Sequence, residues 1–154
     1  MLARLPSYER ATALVEAYLE HLSCFFRPVE RGQIMEELLP RYYKQREDAR
    51  KEDENGVAVH QLALLFAVFA AGSAGDLTQE AHSEEGELFR HLSRSALGLH
   101  SIFDGTSMAT VQALSLVGAY DFFSASAQTL ESAWKTQSLA MCLASSVSSC
   151  PPPS

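Results

Sequence analysis

Cysteine is scarce in this 154-residue chain: Cys24, Cys142 and Cys150 are widely spaced and follow no signal-peptide pattern. A disulfide framework is not expected from them, and neither is a tetrahedral thiolate metal site, so a reduced, intracellular protein is the simpler reading. Long hydrophobic runs are missing as well. The longest, Leu62 to Ala71, falls well short of the roughly 20 apolar residues that cross a bilayer, and no membrane segment is expected. Positive charge is in deficit: 12 Lys and Arg stand against 19 Asp and Glu, a net charge of −7. That balance opposes condensation onto phosphate backbones, which depends on Lys and Arg displacing counterions, so no direct nucleic acid contact is expected. Charge of either sign is nearly absent from the last third. From Ser101 to Ser154 only Asp104, Asp121, Glu131 and Lys135 are charged, too few for a free surface.

Catalytic patterns are missing too. No GxSxG elbow occurs, nor a cysteine with an organised base. Gly72 to Gly75 is too short for a phosphate loop and has no lysine, and reads instead as a helix terminus. His82, Glu85 and His91 fall on one expected helix, but the HExxH pattern is absent and His91 lies six residues beyond Glu85, so they read as solvated side chains rather than metal ligands. His60 and His100 sit near helix ends, where capping or exposure accounts for them, and His21 reads as a surface residue. Cys142 reads as a small apolar packing residue. Trp134 could anchor a partner, but core packing is the favoured reading. No catalytic, cofactor or metal residue is named, and the chain is not read as an enzyme.

What the chain does have is apolar content: 47% hydrophobic with 20% charged residues, enough for one globular domain with a core. Ser7 is a plausible N-cap for a helix carrying Ala11, Leu14, Val15, Tyr18, Leu19 and Leu22 at three-and-four spacing. Pro28 ends that region. A shorter helix holds Ile34, Met35, Leu38 and Leu39 before Pro40. Lys44 to Glu54, with nine charges in eleven residues, reads as a solvated connection ending at Asn55 and Gly56. Its Arg46, Arg50 and Lys51 are matched by local acids, which argues against a nucleic-acid or nuclear-import patch.

Leu62 to Ala71 is apolar all round, as a buried central helix is. A core strand is the competing reading, disfavoured by the alanines. Gly72, Ser73, Ala74 and Gly75 should end it. A long amphipathic helix follows from about Leu77, with Ala81, Glu85, Leu88, Phe89, Leu92, Ala96 and Leu99 on one face. Asp104 and Gly105 make a turn, and Thr106 or Ser107 caps a helix from Met108 to Phe123. The last helix runs from about Ala127 to Ala144 with Leu130, Ala133, Trp134, Met141 and Leu143. Residues 145–154, rich in Ser and Pro, should be a disordered tail. The fold class is all-α: about six helices in an array of antiparallel pairs over residues 7–144.

Taken in order, these segments resemble the middle homology region of fungal zinc-cluster transcription factors, a helical regulatory domain. Leu14 to Phe26 (LVEAYLEHLSCFF) looks like its first helix and the aromatic segment after it, and Leu62 to Gly72 (LALLFAVFAAG) like its alanine-rich buried helix. Leu88 to Leu99 (LFRHLSRSALGL), Ser107 to Phe123 (SMATVQALSLVGAYDFF) and Ala133 to Leu143 (AWKTQSLAMCL) follow its run of three helices, with ATVQAL at Ala109 to Leu114 the most specific part. The resemblance covers about Tyr8 to Ala144 and the front part of that domain only. It implies a truncated regulatory module in the nucleus that modulates DNA-templated transcription through protein partners or the rest of a longer factor, a homodimer being one such arrangement. In some members of the family a small inducer takes part, and for this chain none is identified. DNA binding and zinc belong to a separate six-cysteine module that is not among these residues, so no cofactor is expected here. The alternative is a free-standing helical interaction protein without DNA binding.

Overall fold

A computed structural model describes residues 2–24, 27–43, 56–76, 83–103, 106–123 and 127–148, side chains excepted at 56, 57, 127–129 and 148. The described residues form helices and no strand, in agreement with an all-α, multi-helix array. After a 3₁₀ turn at Leu2–Arg4, α1 (Tyr8–Ala17) starts on the Ser7 cap, whose side chain accepts from the Arg10 amide at 3.3 Å, and continues as a π-helical segment, Tyr18–Leu22. Ala11, Leu14, Val15 and Tyr18 are fully buried, the stripe their spacing demands. Each such large aliphatic contributes about 1.5–3 kcal/mol by leaving water.

A second π-helical segment, Gln33–Leu38, leads directly into α2 (Leu39–Tyr43). This corrects the expectation that Pro40 ends that helix. Proline lacks an amide and crowds the carbonyl four residues back, and the wide turn before it, with Leu39 N–H donating to Ile34, lets the chain pass through Pro40. Tyr42 then donates its hydroxyl to the Ala58 carbonyl at 2.7 Å, fastening α2 to the next helix. The charged stretch 44–54 lies outside the described residues.

The centre of the molecule is α3 (Gly56–Gly75), 20 residues long, starting before and ending after the expected span. Ala58–Gly75 is long and apolar enough to cross a membrane by length and composition, unlike the shorter run visible in the sequence, but nearly all of it is buried inside this bundle. α1 with its π-helical extension, α4 (Glu84–Leu97) and α5 (Met108–Phe123) pack around it, which is why it can be apolar on every side. Phe66, Phe69 and Phe89 form an aromatic cluster between α3 and α4, with ring centroids 5.4 to 6.5 Å apart. Ser93 of α4 donates to the Ala63 carbonyl at 2.8 Å.

α3 ends at Gly75, the last of the four residues expected to close it, but Gly72 lies inside the helix. It sits where α3 crosses α1, against the Leu14 backbone, so its missing Cβ serves a helix crossing rather than a terminus. α4 begins at its Ser83 cap, and residues 77–82, including Ala81 and His82, lie outside the described set. Leu88 and Leu99, expected on its buried face, are 42% and 61% exposed. α5 has the expected bounds and starts on Ser107, whose hydroxyl accepts from the Thr110 amide at 3.3 Å. α6 (Ala127–Ser148) packs chiefly on α5 and runs four residues past Ala144, so the expected disordered tail is helical over 145–148. Residues 149–154 lie outside the described residues.

Candidate protein-interaction surface

α5 is a second buried helix, enclosed by α3 on one side and α6 on the other. Gly118 makes the α5–α6 contact close: a Cβ there would meet Gln137 Oε1 at 3.1 Å. The inward stripe of α6 is Ala133, Thr136, Ala140 and Leu143, mostly small side chains that let the two helices approach. Its large apolar residues point the other way. Trp134 is 74% exposed and Met141 67%, while Leu130, Phe122 and Phe123 are exposed beside them. The favoured reading of Trp134 as a core residue is therefore overturned, and so is that of Cys142, which is exposed.

Between α5 and α6 lies an open groove of about 340 Å³, lined by Gly118, Ala119, Phe122, Phe123, Ala133, Trp134 and Gln137. Phe122 and Phe123 meet edge to face, centroids 5.8 Å apart. Among the described residues that line the groove, Gln137 supplies a side-chain amide. The exposed charges nearby are Glu131 and Lys135, which pair at 2.7 Å one turn apart, and the ammonium holds the Glu131 carboxyl below its ordinary range.

Behind this surface a polar network locks α4, α5 and α6 together. Asp121, fully buried, faces Arg90 Nε at 3.1 Å and Arg94 at 3.6 Å, and accepts from the Ser132 hydroxyl at 3.0 Å. Glu87 lies 3.4 Å from Arg90. Burial, and then the negative charge of Glu87, push the neighbouring Tyr120 hydroxyl up to about 12. The sequence reading singled out none of these roles, although one signal was present: Asp121 is the only acid in the run from Met108 to Phe123, and a charge inside an apolar helix needs a partner.

Comparison with protein-family models, curated proteins and solved structures gave no match.

Of the residues weighed as metal ligands, His82 lies outside the described residues, and Glu85 and His91 engage different partners. Glu85 pairs with Arg10 of α1, at 2.5 Å between Oε2 and the guanidinium, and this bond leads the causes that raise the Arg10 pKa. His91 is exposed, 3.7 Å from Glu87. Among the described residues no three His, Cys, Asp or Glu side chains are grouped to hold a metal ion. His21 and His100 are exposed, as read from the sequence. His60 is not: it is 3% exposed, with Nδ1 2.8 Å from Thr110 Oγ1, which is itself 2.9 Å from the Ser107 hydroxyl. This chain joins the first turns of α3 and α5. Burial lowers the His60 pKa, so the ring stays neutral at the positive end of α5.

Proposed function

We propose that this chain is a helical regulatory module acting by protein contact through the Phe122–Trp134 face, of the kind found in fungal zinc-cluster transcription factors. The observation that carries the contact surface is the orientation of α6: small residues inward, Leu130, Trp134 and Met141 outward. A large exposed apolar patch is a cost in water unless a partner covers it, and Trp is the residue most concentrated at binding hot spots. The transcriptional part of the proposal rests on the ordered resemblance of the helical segments. In this reading the chain performs no chemistry, works in the nucleus, and leaves zinc and DNA to a separate module.

The test is a reporter assay in a fungal cell with the full chain fused to an unrelated DNA-binding domain. The fusion should change reporter output, and Trp134→Glu should abolish the change while circular dichroism shows the helices intact. A folded fusion that leaves output unchanged removes the transcriptional reading. Output that changes equally with and without Trp134 removes the surface.

A further inference from the structure

We propose that His60 is a proton-operated latch: its neutral ring holds residues 98–103 and the first turn of α5 against α3, and protonation releases them while the rest of the bundle stays folded. Three elements meet on this one imidazole. Nδ1 lies 2.8 Å from Thr110 Oγ1 in α5, and the ring is also hydrogen-bonded to the His100 backbone in the segment between α4 and α5. A neutral ring serves both contacts, Nε2–H donating to the carbonyl while Nδ1 accepts the Thr110 hydroxyl proton. The Thr110 oxygen is then left to accept from the Ser107 hydroxyl 2.9 Å away, whose own oxygen caps the Thr110 amide. A proton added at Nδ1 turns that nitrogen into a donor and reverses the series. It also sets a cation at the positive end of α5. Among the described residues, α3 and the first turn of α5 present no other titratable side chain to offset it, and α2 reaches this end of α3 with Tyr42, whose hydroxyl is engaged by the Ala58 carbonyl. His100 faces the ring from the connecting segment, and its charge opposes the cation.

Release is confined to this corner because little else holds it. The bonds made by residues 98–103 to their neighbours are local: the Leu99 amide donates to Ala96 and the Phe103 amide to the Ser101 hydroxyl. Leu99, Phe103 and Met108 stand exposed. An open cleft of about 300 Å³ lies between the segment and the helices, lined by His100, Ser101, Ile102 and Phe103 on the one part and Leu97 and Leu114 on the other, so the packing here is already loose. The following turns of α5 bury Ala113, Leu116, Val117 and Tyr120, and no proton governs that contact. Local opening begins where apolar contacts are fewest. What it uncovers is Leu97, Ile102 and Leu114, so acid converts a closed corner into an apolar surface.

Amide hydrogen exchange on the full chain, resolved by NMR and corrected for the intrinsic pH dependence of exchange, separates this latch from general acid unfolding. From neutral to mildly acid pH, the opening constants at Leu99, Thr110 and Val111 should rise by up to about tenfold for each pH unit below 6.5, while the amides at the centres of α3 and α6 stay protected. The rise should level off where the His60 ring protons titrate in the closed state, a measurement that needs no variant. His60→Gln should flatten the rise. Exchange at these three amides that ignores pH, a rise that His60→Gln leaves in place, or opening of α3 and α6 in step with the corner overturns the proposal. So does a His60 ring that titrates at 6.5 or above with the corner closed, which covers the case of a His60→Gln chain that does not fold.

Discussion

Gly72 of α3 lies so close to the backbone carbonyl of Leu14 in α1 that a Cβ at position 72 would overlap it. Backbone on both sides of this contact leaves no flexible side chain to give way. The buried helix α3 meets the inward face of α1 here, and their separation is set by a hydrogen atom.

The substitution Gly72→Ala should therefore destabilise the fold by about 2 kcal/mol or more, the scale of overpacking in a core. In an unhindered helix the same change stabilises by roughly 1 kcal/mol, so the sign itself is diagnostic. Gly32 is the internal control, because a Cβ there meets nothing within 4 Å. Urea denaturation of both variants should show Gly72→Ala falling and Gly32→Ala unchanged or rising; equal behaviour would contradict the close crossing.

Glycine 72 also shows why the sequence was only partly legible. A glycine after an apolar run reads the same whether it ends a helix or admits a neighbouring backbone, and only the path of α1 distinguishes them. Pro40 was ambiguous for a related reason, since the π-helical turn that carries the chain through it has no composition signal. α5 was legible to the residue because a capping serine opens it and apolar side chains fill both faces, so no choice of face was needed. In α6 a choice was needed and went wrong. Trp134 was read as a core residue, while the inward stripe is Ala133, Thr136, Ala140 and Leu143, of which Thr136 and Ala140 are inconspicuous in sequence. The groove depends on that orientation and so could not be read in advance.

Asp121 provides a second test. Its carboxylate is fully buried against Arg90, whose side chain is 13% exposed. Asp121→Ala leaves that guanidinium without its buried counter-charge and should cost about 3–5 kcal/mol, as breaking a buried ion pair does. Asp121→Asn keeps the Ser132 contact and should cost less. Thermal melts that place both variants beside the wild type would show that the network contributes nothing to the α4–α5–α6 junction.

Acid should loosen the α3–α5 junction through His60. Its pKa lies below the ordinary value of 6.5 because burial penalises the cation, which outweighs an opposing hydrogen bond with the His100 backbone. The unfolded chain takes up a proton near 6.5 while the folded chain does not, so unfolding is increasingly favoured as pH falls from there toward the lowered folded value. Stability from this group is complete above 6.5 and is lost below it. Thermal midpoints measured from neutral to mildly acid pH should fall less steeply in His60→Gln than in the wild type. Parallel curves would remove His60 as the cause.

Alkali acts in the opposite sense on two tyrosines. Burial is the leading cause that raises both Tyr18 and Tyr120 from 10.0 to about 12. Their raised values mean that the folded state holds two phenolic protons which the unfolded chain releases near 10. The stability they contribute is therefore whole below pH 10 and declines between 10 and 12, with a slope approaching two protons. Ultraviolet titration of the native chain should resolve a late phase that Tyr120→Phe reduces by one phenol. Unfolding measured by circular dichroism should begin inside the same pH window and shift upward in that variant. A titration complete by pH 10.5 with the helices intact would place both hydroxyls in water and contradict their burial.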